Sequence, residues 1–106
     1  MANVMNITDR LKHEKKQIQI GEELLTVNTA FEAMVKIESI ERRKDISDTE
    51  KMVMTLQILL GDDYAKLQAF NFDVQDMKTV FTAIMAVVQA VPFEEMEARF
   101  QAIEQQ

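Results

Sequence analysis

The 106-residue chain contains no cysteine and no tryptophan, and it has only one proline and two glycines. Without cysteine, the chain can form no disulfide bond, thiol nucleophile or thiolate metal site. Because residues that break regular structure are so few, we expect long regular elements rather than a loop-rich fold. A hydrophobic content of 47% suffices for a core and argues against global disorder. These features predict a single small domain over residues 1–106.

Charge is unevenly distributed along a chain whose net charge is −6. Residues 1–20 carry four basic and two acidic side chains, whereas residues 62–106 carry three basic and eight acidic ones. An acidic chain without an extended basic face is a poor candidate for binding the phosphate backbone of nucleic acids. The start of the chain lacks the pattern of a signal peptide, and no apolar run approaches the roughly 20 residues that span a bilayer. We therefore expect a soluble intracellular protein.

The N-terminal part of the chain predicts an arm followed by a β-hairpin. Residues 1–12 show no sustained period and are interpreted as an arm or a short turn. Residues 16–27 predict a hairpin with about five residues on each side of a tight turn that contains Gly21. Apolar residues alternate with polar ones on both sides of this turn: Ile18, Ile20, Leu25 and Val27.

From residue 29 onward, the three- and four-residue spacing of apolar side chains predicts about five helices, so the fold class is mainly α with a minor β-hairpin. Thr29 and Glu32 fit a capping box for a first helix that runs to about Arg43. Ser47 and Glu50 fit a second capping box, which opens a helix with Met52 and Leu56 among its inward-facing residues.

The remaining helices are marked by residues that start or stop them. Gly61 ends the second helix, and Asp62 and Asp63 start a short third one. Asp73 is the expected cap of a long helix that runs to about Val91. Pro92 stops that helix and suits the first turn of the last one. The core is expected to include four large side chains: Leu56, Leu60, Phe81 and Ile84.

Residues 83–91 are apolar on nearly every side, and a helix of this kind must be surrounded by other protein. A chain of 106 residues has little protein to spare for this, which favours self-association or binding to a partner. After Pro92, an apolar stripe with three- and four-residue spacing consists of Phe93, Met96, Phe100 and Ile103. This stripe packs either on the chain's own domain or in a groove of another copy or of a partner. The candidate partner-binding residues are Met85, Val88, Phe93, Met96, Phe100 and Ile103.

No catalytic residue, metal site or cofactor site is predicted. His13 is the only histidine, which rules out a two-histidine metal site within one chain. Neighbouring carboxylates such as Asp62 and Asp63 point in different directions on a helix and make poor acid–base pairs. The cations at residues 42–44 either bind an anionic partner or form a solvated helix end.

Several segments together resemble a family of small phage proteins. These segments are residues 6–11, 27–38, 46–51 and 93–97, and they are similar to the tail assembly chaperones of long-tailed phages and prophages of Gram-positive bacteria. The resemblance implies a non-enzymatic, mostly helical protein in the cytoplasm of the bacterial host. It also implies an oligomer that escorts the tape-measure protein, and possibly the tail-tube protein, during tail assembly. Many members of the family are also made as a longer, frameshifted product.

Two other classes stay open from the sequence. A minor structural tail component or adaptor would share the small size and the self-association but would persist in the finished particle. A small acidic regulatory or inhibitor protein would use the acidic C-terminal half, although acids alternate with bases along much of the chain.

Overall fold

A computed structural model describes the backbone of residues 3–11 and 14–104, and the side chains of these residues up to 102. His13 therefore lies outside the described residues. A short 3₁₀ turn, Thr8–Arg10, follows the exposed start of the arm. The elements then follow in the order β1 Lys16–Ile20, β2 Glu23–Val27, α1 Phe31–Glu41, α2 Asp48–Leu60, α3 Tyr64–Ala69, α4 Val74–Gln89 and α5 Phe93–Glu104.

The predicted class, a mainly helical fold with an N-terminal hairpin, is confirmed. In the described part of the chain, α1, α2, α4 and α5 are long helices, whereas α3 has only six residues and continues a 3₁₀ turn at Gly61–Asp63. β1 and β2 pair antiparallel without a bulge, with Lys16 opposite Val27 and Ile20 opposite Glu23. Gly21 has φ +59°, a positive value that suits the first position of a two-residue hairpin turn.

Two of the three predicted helix caps are confirmed. The N–H of Glu50 donates to Ser47 Oγ at 3.1 Å, and the N–H of Asp76 donates to Asp73 Oδ1 at 2.8 Å. The predicted cap at Thr29 is wrong, because α1 has Ala30 at its N-cap and no side chain caps it. Instead, Asn28 turns the chain before the helix by accepting a hydrogen bond from the N–H of Ala30.

The connection between α4 and α5 reverses the chain sharply. Ala90 adopts the left-handed conformation, and the N–H of Val91 donates to the carbonyl of Ala86 at 3.0 Å, as in a Schellman motif. Pro92 then leads into α5, which packs against α4. Among the described residues, no single helix is long and apolar enough for a membrane span. The helix α4 and the first ten residues of α5 meet the length and hydropathy criteria only when taken together, and they are bent by 114° relative to each other.

The core lies between the inner face of the hairpin and the helices α2, α3 and α4. Its most buried large side chains include Leu25, Leu56, Leu59, Leu67 and Ile84. The predictions for Leu56, Leu60 and Ile84 are confirmed, but Phe81 is only partly buried. One side of Phe81 packs against the core and another faces a groove, which explains the difference.

The apolar helix α4 is covered largely by the chain itself. Every residue from 80 to 88 is buried or partly buried, since α4 packs against both strands and against α5. The expectation that the chain has too little protein to surround this helix is therefore wrong. Any surface for a partner must be sought where apolar side chains remain accessible.

Candidate interaction surface

The chain exposes more surface than a compact domain of its mass. Its accessible surface is 8259 Å², compared with about 6,100 Å² expected for a folded monomer of 12.2 kDa. Its radius of gyration is 16.3 Å, whereas about 13 Å is expected for this length. The fold is thus elongated, with extents of 61 × 35 × 26 Å.

One apolar groove opens where the end of α1, the start of α2, α4 and α5 meet. We call it the helical groove; its volume is 460 Å³, and its lining consists of Glu41, Asp48, Met52, Lys78, Phe81, Thr82 and Phe100. Met52, Phe81 and Phe100 supply the apolar part, whereas Glu41, Asp48 and Lys78 supply the charged part.

Two aromatic rings form the centre of the helical groove. The ring centroids of Phe81 and Phe100 are 5.9 Å apart with an interplanar angle of 25°, a stacked arrangement that joins α4 to α5. Thr82 lies beside them, and its hydroxyl donates to the carbonyl of Lys78 at 2.8 Å. Because that hydroxyl is already satisfied, Thr82 adds no unpaired polar group to the groove.

The structure divides the candidate partner-binding residues among different surroundings. Phe100 lies in the helical groove. Met85 and Val88 are partly buried against the core, Phe93 is partly buried, and Met96 is only 1% exposed. The Met96 side chain is thus covered by the chain itself and offers no surface to a partner in this fold. The side chain of Ile103 lies outside the described residues.

Sequence reasoning assigned Phe81 to the core and Met52 to an inward helix face, and it missed their place in the groove. The signal for both was their apolar spacing, which also fits a core position. Their contact with Phe100 depends on the reversal of the chain between α4 and α5 after Ala90. Helical periodicity in the sequence cannot predict this reversal.

The basic cluster at the end of α1 is largely neutralised by its own chain. Arg42 pairs with Glu38 at 2.6 Å, and Arg43 donates two hydrogen bonds to the carboxylate of Asp45, at 3.0 and 2.6 Å. The hydrogen bonds from Arg43 lower the pKa of the Asp45 carboxyl. This arrangement favours a solvated helix end over a site for an anionic partner.

Other apolar side chains are exposed away from the helical groove. They include Val4, Met5, Ile7 and Leu11 in the arm, Phe31 and Val35 on α1, and Val74 at the start of α4. Phe31, the first residue of α1, is 77% exposed and lies away from the buried face of that helix.

Among the described residues, no group of three or more acidic or histidine side chains is placed to hold a metal ion. The helical groove, with its apolar centre and charged rim, is the candidate interaction surface. No protein-family model, curated protein or solved structure matches the chain.

Proposed function

We propose that this chain is a non-enzymatic tail assembly chaperone of a long-tailed phage or prophage. It holds the tape-measure protein in the cytoplasm of the bacterial host while tail-tube subunits assemble around it. The family resemblance supplies this identity, and the helical groove is the observation that supports a helix-binding role.

The helical groove suits a helix because its lining is apolar at the centre and charged at the edge. An amphipathic helix buries side chains at three- and four-residue spacing in such grooves. A tape-measure protein is a long helical chain and presents stripes of this kind. The partly buried rings of Phe81 and Phe100 offer apolar area that a bound helix would cover.

The charged rim of the groove predicts which apolar stripe of a partner helix binds with the highest affinity. Glu41 and Asp48 place two carboxylates beside the groove, and Lys78 adds one cation. A partner helix with basic residues next to its apolar stripe therefore matches the acidic side of the rim. Because apolar burial dominates, the affinity should fall only modestly as salt is raised.

Co-expression with the long helical protein encoded immediately downstream tests the proposal. We expect the wild-type chain to keep that protein soluble and to co-purify with it. Phe100→Ser should abolish both effects, because it removes one ring of the groove. Phe31→Ser is the matched control: it removes an exposed phenylalanine about 15 Å from Glu41, a distance set by the ten residues of α1 between them.

The outcomes separate the alternatives. If Phe31→Ser abolishes co-purification and a folded Phe100→Ser variant does not, the helical groove is not the binding surface. If the wild-type chain neither solubilises nor binds the downstream protein, the chaperone function is wrong. A chain that instead persists in finished tails would be a structural tail component.

A further inference from the structure

The two edges of the hairpin differ in what covers them. On β2, the N–H of Thr26 donates to Asp63 Oδ2 at 2.8 Å, and just beyond this strand the N–H of Asn28 donates to the carbonyl of Leu59 at 2.7 Å. In the part of the chain that the structure describes, no backbone group pairs with the outer edge of β1. An uncovered edge is a template for pairing with another strand.

The register identifies the groups that β1 leaves free. Since the N–H of Thr26 points away from β1, Thr26 and its opposite residue Gln17 form a non-hydrogen-bonded pair. Such pairs alternate along an antiparallel ladder, so Gln19 and Leu24 form another one. The N–H and C=O groups of Gln17 and Gln19 therefore point outward from β1.

An apolar groove lies beside this edge. It has a volume of 350 Å³ between β1 and α4, and its lining includes Ile18, Ile20, Phe72, Val80 and Ala83. A strand added to an edge gains affinity from its backbone hydrogen bonds and specificity from pockets that take its alternate side chains. β1 offers both features.

We propose that two copies of this chain join through their β1 strands, antiparallel, about a two-fold axis at Ile18. In this register, Gln17 of each copy lies opposite Gln19 of the other. Both residues carry outward groups, so the two pairs exchange four backbone hydrogen bonds. The two hairpins then form one four-stranded sheet, a more stable unit than an isolated hairpin.

The charges of the hairpin favour a second copy in this orientation. Lys15 and Lys16 lie at the start of β1, and Glu22 and Glu23 lie at the turn. Glu14 Oε2 lies 3.5 Å from Lys16 Nζ, so the start of β1 keeps a net positive charge of one over these three residues. Antiparallel pairing brings the basic end of each strand beside the acidic turn of the other copy, whereas parallel pairing brings like charges together.

Proline substitutions on opposite strands test the edge. Gln19→Pro removes an outward N–H of β1 and leaves every backbone hydrogen bond of the hairpin in place. It also removes the bond from Gln19 Nε2 to the carbonyl of Gly21, at 2.9 Å, which the charge variants described next remove without proline. Leu24→Pro does the same at the opposite position on β2 and is the matched control. In sedimentation velocity over a concentration series, the wild type and Leu24→Pro should dimerise. The dissociation constant of Gln19→Pro should rise roughly tenfold or more.

Charged variants at positions 17 and 19 provide a second test in case a proline variant fails to fold. Gln17 and Gln19 are exposed, so a variant with lysine at both positions and one with glutamate at both should fold as monomers. Mixing the two variants should restore a dimer, because unlike charges then face each other. The amide protons of Gln17 and Gln19 should also exchange more slowly as wild-type concentration rises.

Three results would overturn the proposal. One is a wild-type chain that stays monomeric at every concentration. This result includes a monomer in which the N-terminal arm of the same chain protects the amides of Gln17 and Gln19 from exchange. The second is a dimer that a folded Gln19→Pro variant leaves intact. The third is a failure of the mixed charge variants to pair. None of these results bears on the helical groove, so this proposal and the chaperone function can fail separately.

Discussion

The carboxylate of Asp63 accepts a hydrogen bond from the main-chain N–H of Thr26 at 2.8 Å, although 37 residues separate them in sequence. Asp63 also lies 3.4 Å from Lys66 Nζ, and Lys66 is 4.0 Å from Glu23 on the hairpin. This small network fixes β2 to the 3₁₀ turn after α2. The bond from Thr26 to Asp63 also covers the outer edge of β2, whereas the outer edge of β1 has no backbone partner among the described residues.

The link between Asp63 and Thr26 predicts a dependence of stability on pH. The hydrogen bond from Thr26, aided by Lys66, lowers the pKa of the Asp63 carboxyl below its ordinary value. A carboxyl with a lowered folded-state pKa stabilises the fold above its unfolded-state pKa, about 4, and this stabilisation is lost as the pH falls through the lowered value. Asp63→Asn should therefore lower the urea midpoint at pH 7, and its difference from wild type should shrink in acid.

Asp62→Asn is the control for this prediction, because it removes the same charge from an exposed neighbour. Because the amide oxygen of an asparagine can still accept from Thr26, equal midpoints for Asp63→Asn and Asp62→Asn at pH 7 would show that the negative charge of Asp63 adds nothing to stability.

The partly buried Phe81 predicts an intermediate cost of truncation. Phe81→Ala should destabilise the chain by about 2 kcal/mol, less than the roughly 3–5 kcal/mol of a fully buried phenylalanine, because one side of the ring faces the helical groove. Phe31→Ala, at a 77% exposed position, should change the free energy of unfolding by less than about 0.5 kcal/mol. Chemical denaturation measures both, and a loss above about 4 kcal/mol for Phe81→Ala would place this ring in the core.

The left-handed backbone at Ala90 predicts a stabilising substitution. Ala90 has φ +57° and ψ +44°, a conformation that costs a residue with a Cβ atom roughly 1 kcal/mol and costs glycine little. Ala90→Gly should therefore raise the melting temperature. Ala98→Gly, at an exposed position inside α5, should lower it by the usual cost of glycine in a helix. A decrease for both variants would argue against the left-handed cap.

Local signals in the sequence were sufficient for the hairpin and for two helix starts. The alternation around Gly21 gives both strands with their observed bounds, because the period of two and the short turn are local properties. The caps at Ser47 and Asp73 are likewise local, since each side chain bonds a backbone N–H three residues ahead.

Local sequence signals do not determine which apolar face of a helix is buried; tertiary packing does. α1 carries two apolar faces, one with Ala33, Ile37 and Ile40 and one with Phe31 and Val35, and periodicity fits both. Only the first face is buried. The helical groove could not be predicted for the same reason, because Met52, Phe81 and Phe100 come from three helices that meet only in the folded chain.

Site-specific photocrosslinking tests the helical groove as the binding surface most directly. Benzoylphenylalanine is placed at position 52, within the groove, or at position 31, on the exposed face of α1, and each variant is co-expressed with the long helical protein encoded downstream. We predict crosslinks to that protein from position 52 and none from position 31. Crosslinks from position 31 alone, with both variants folded, would contradict a helix-binding role for the groove.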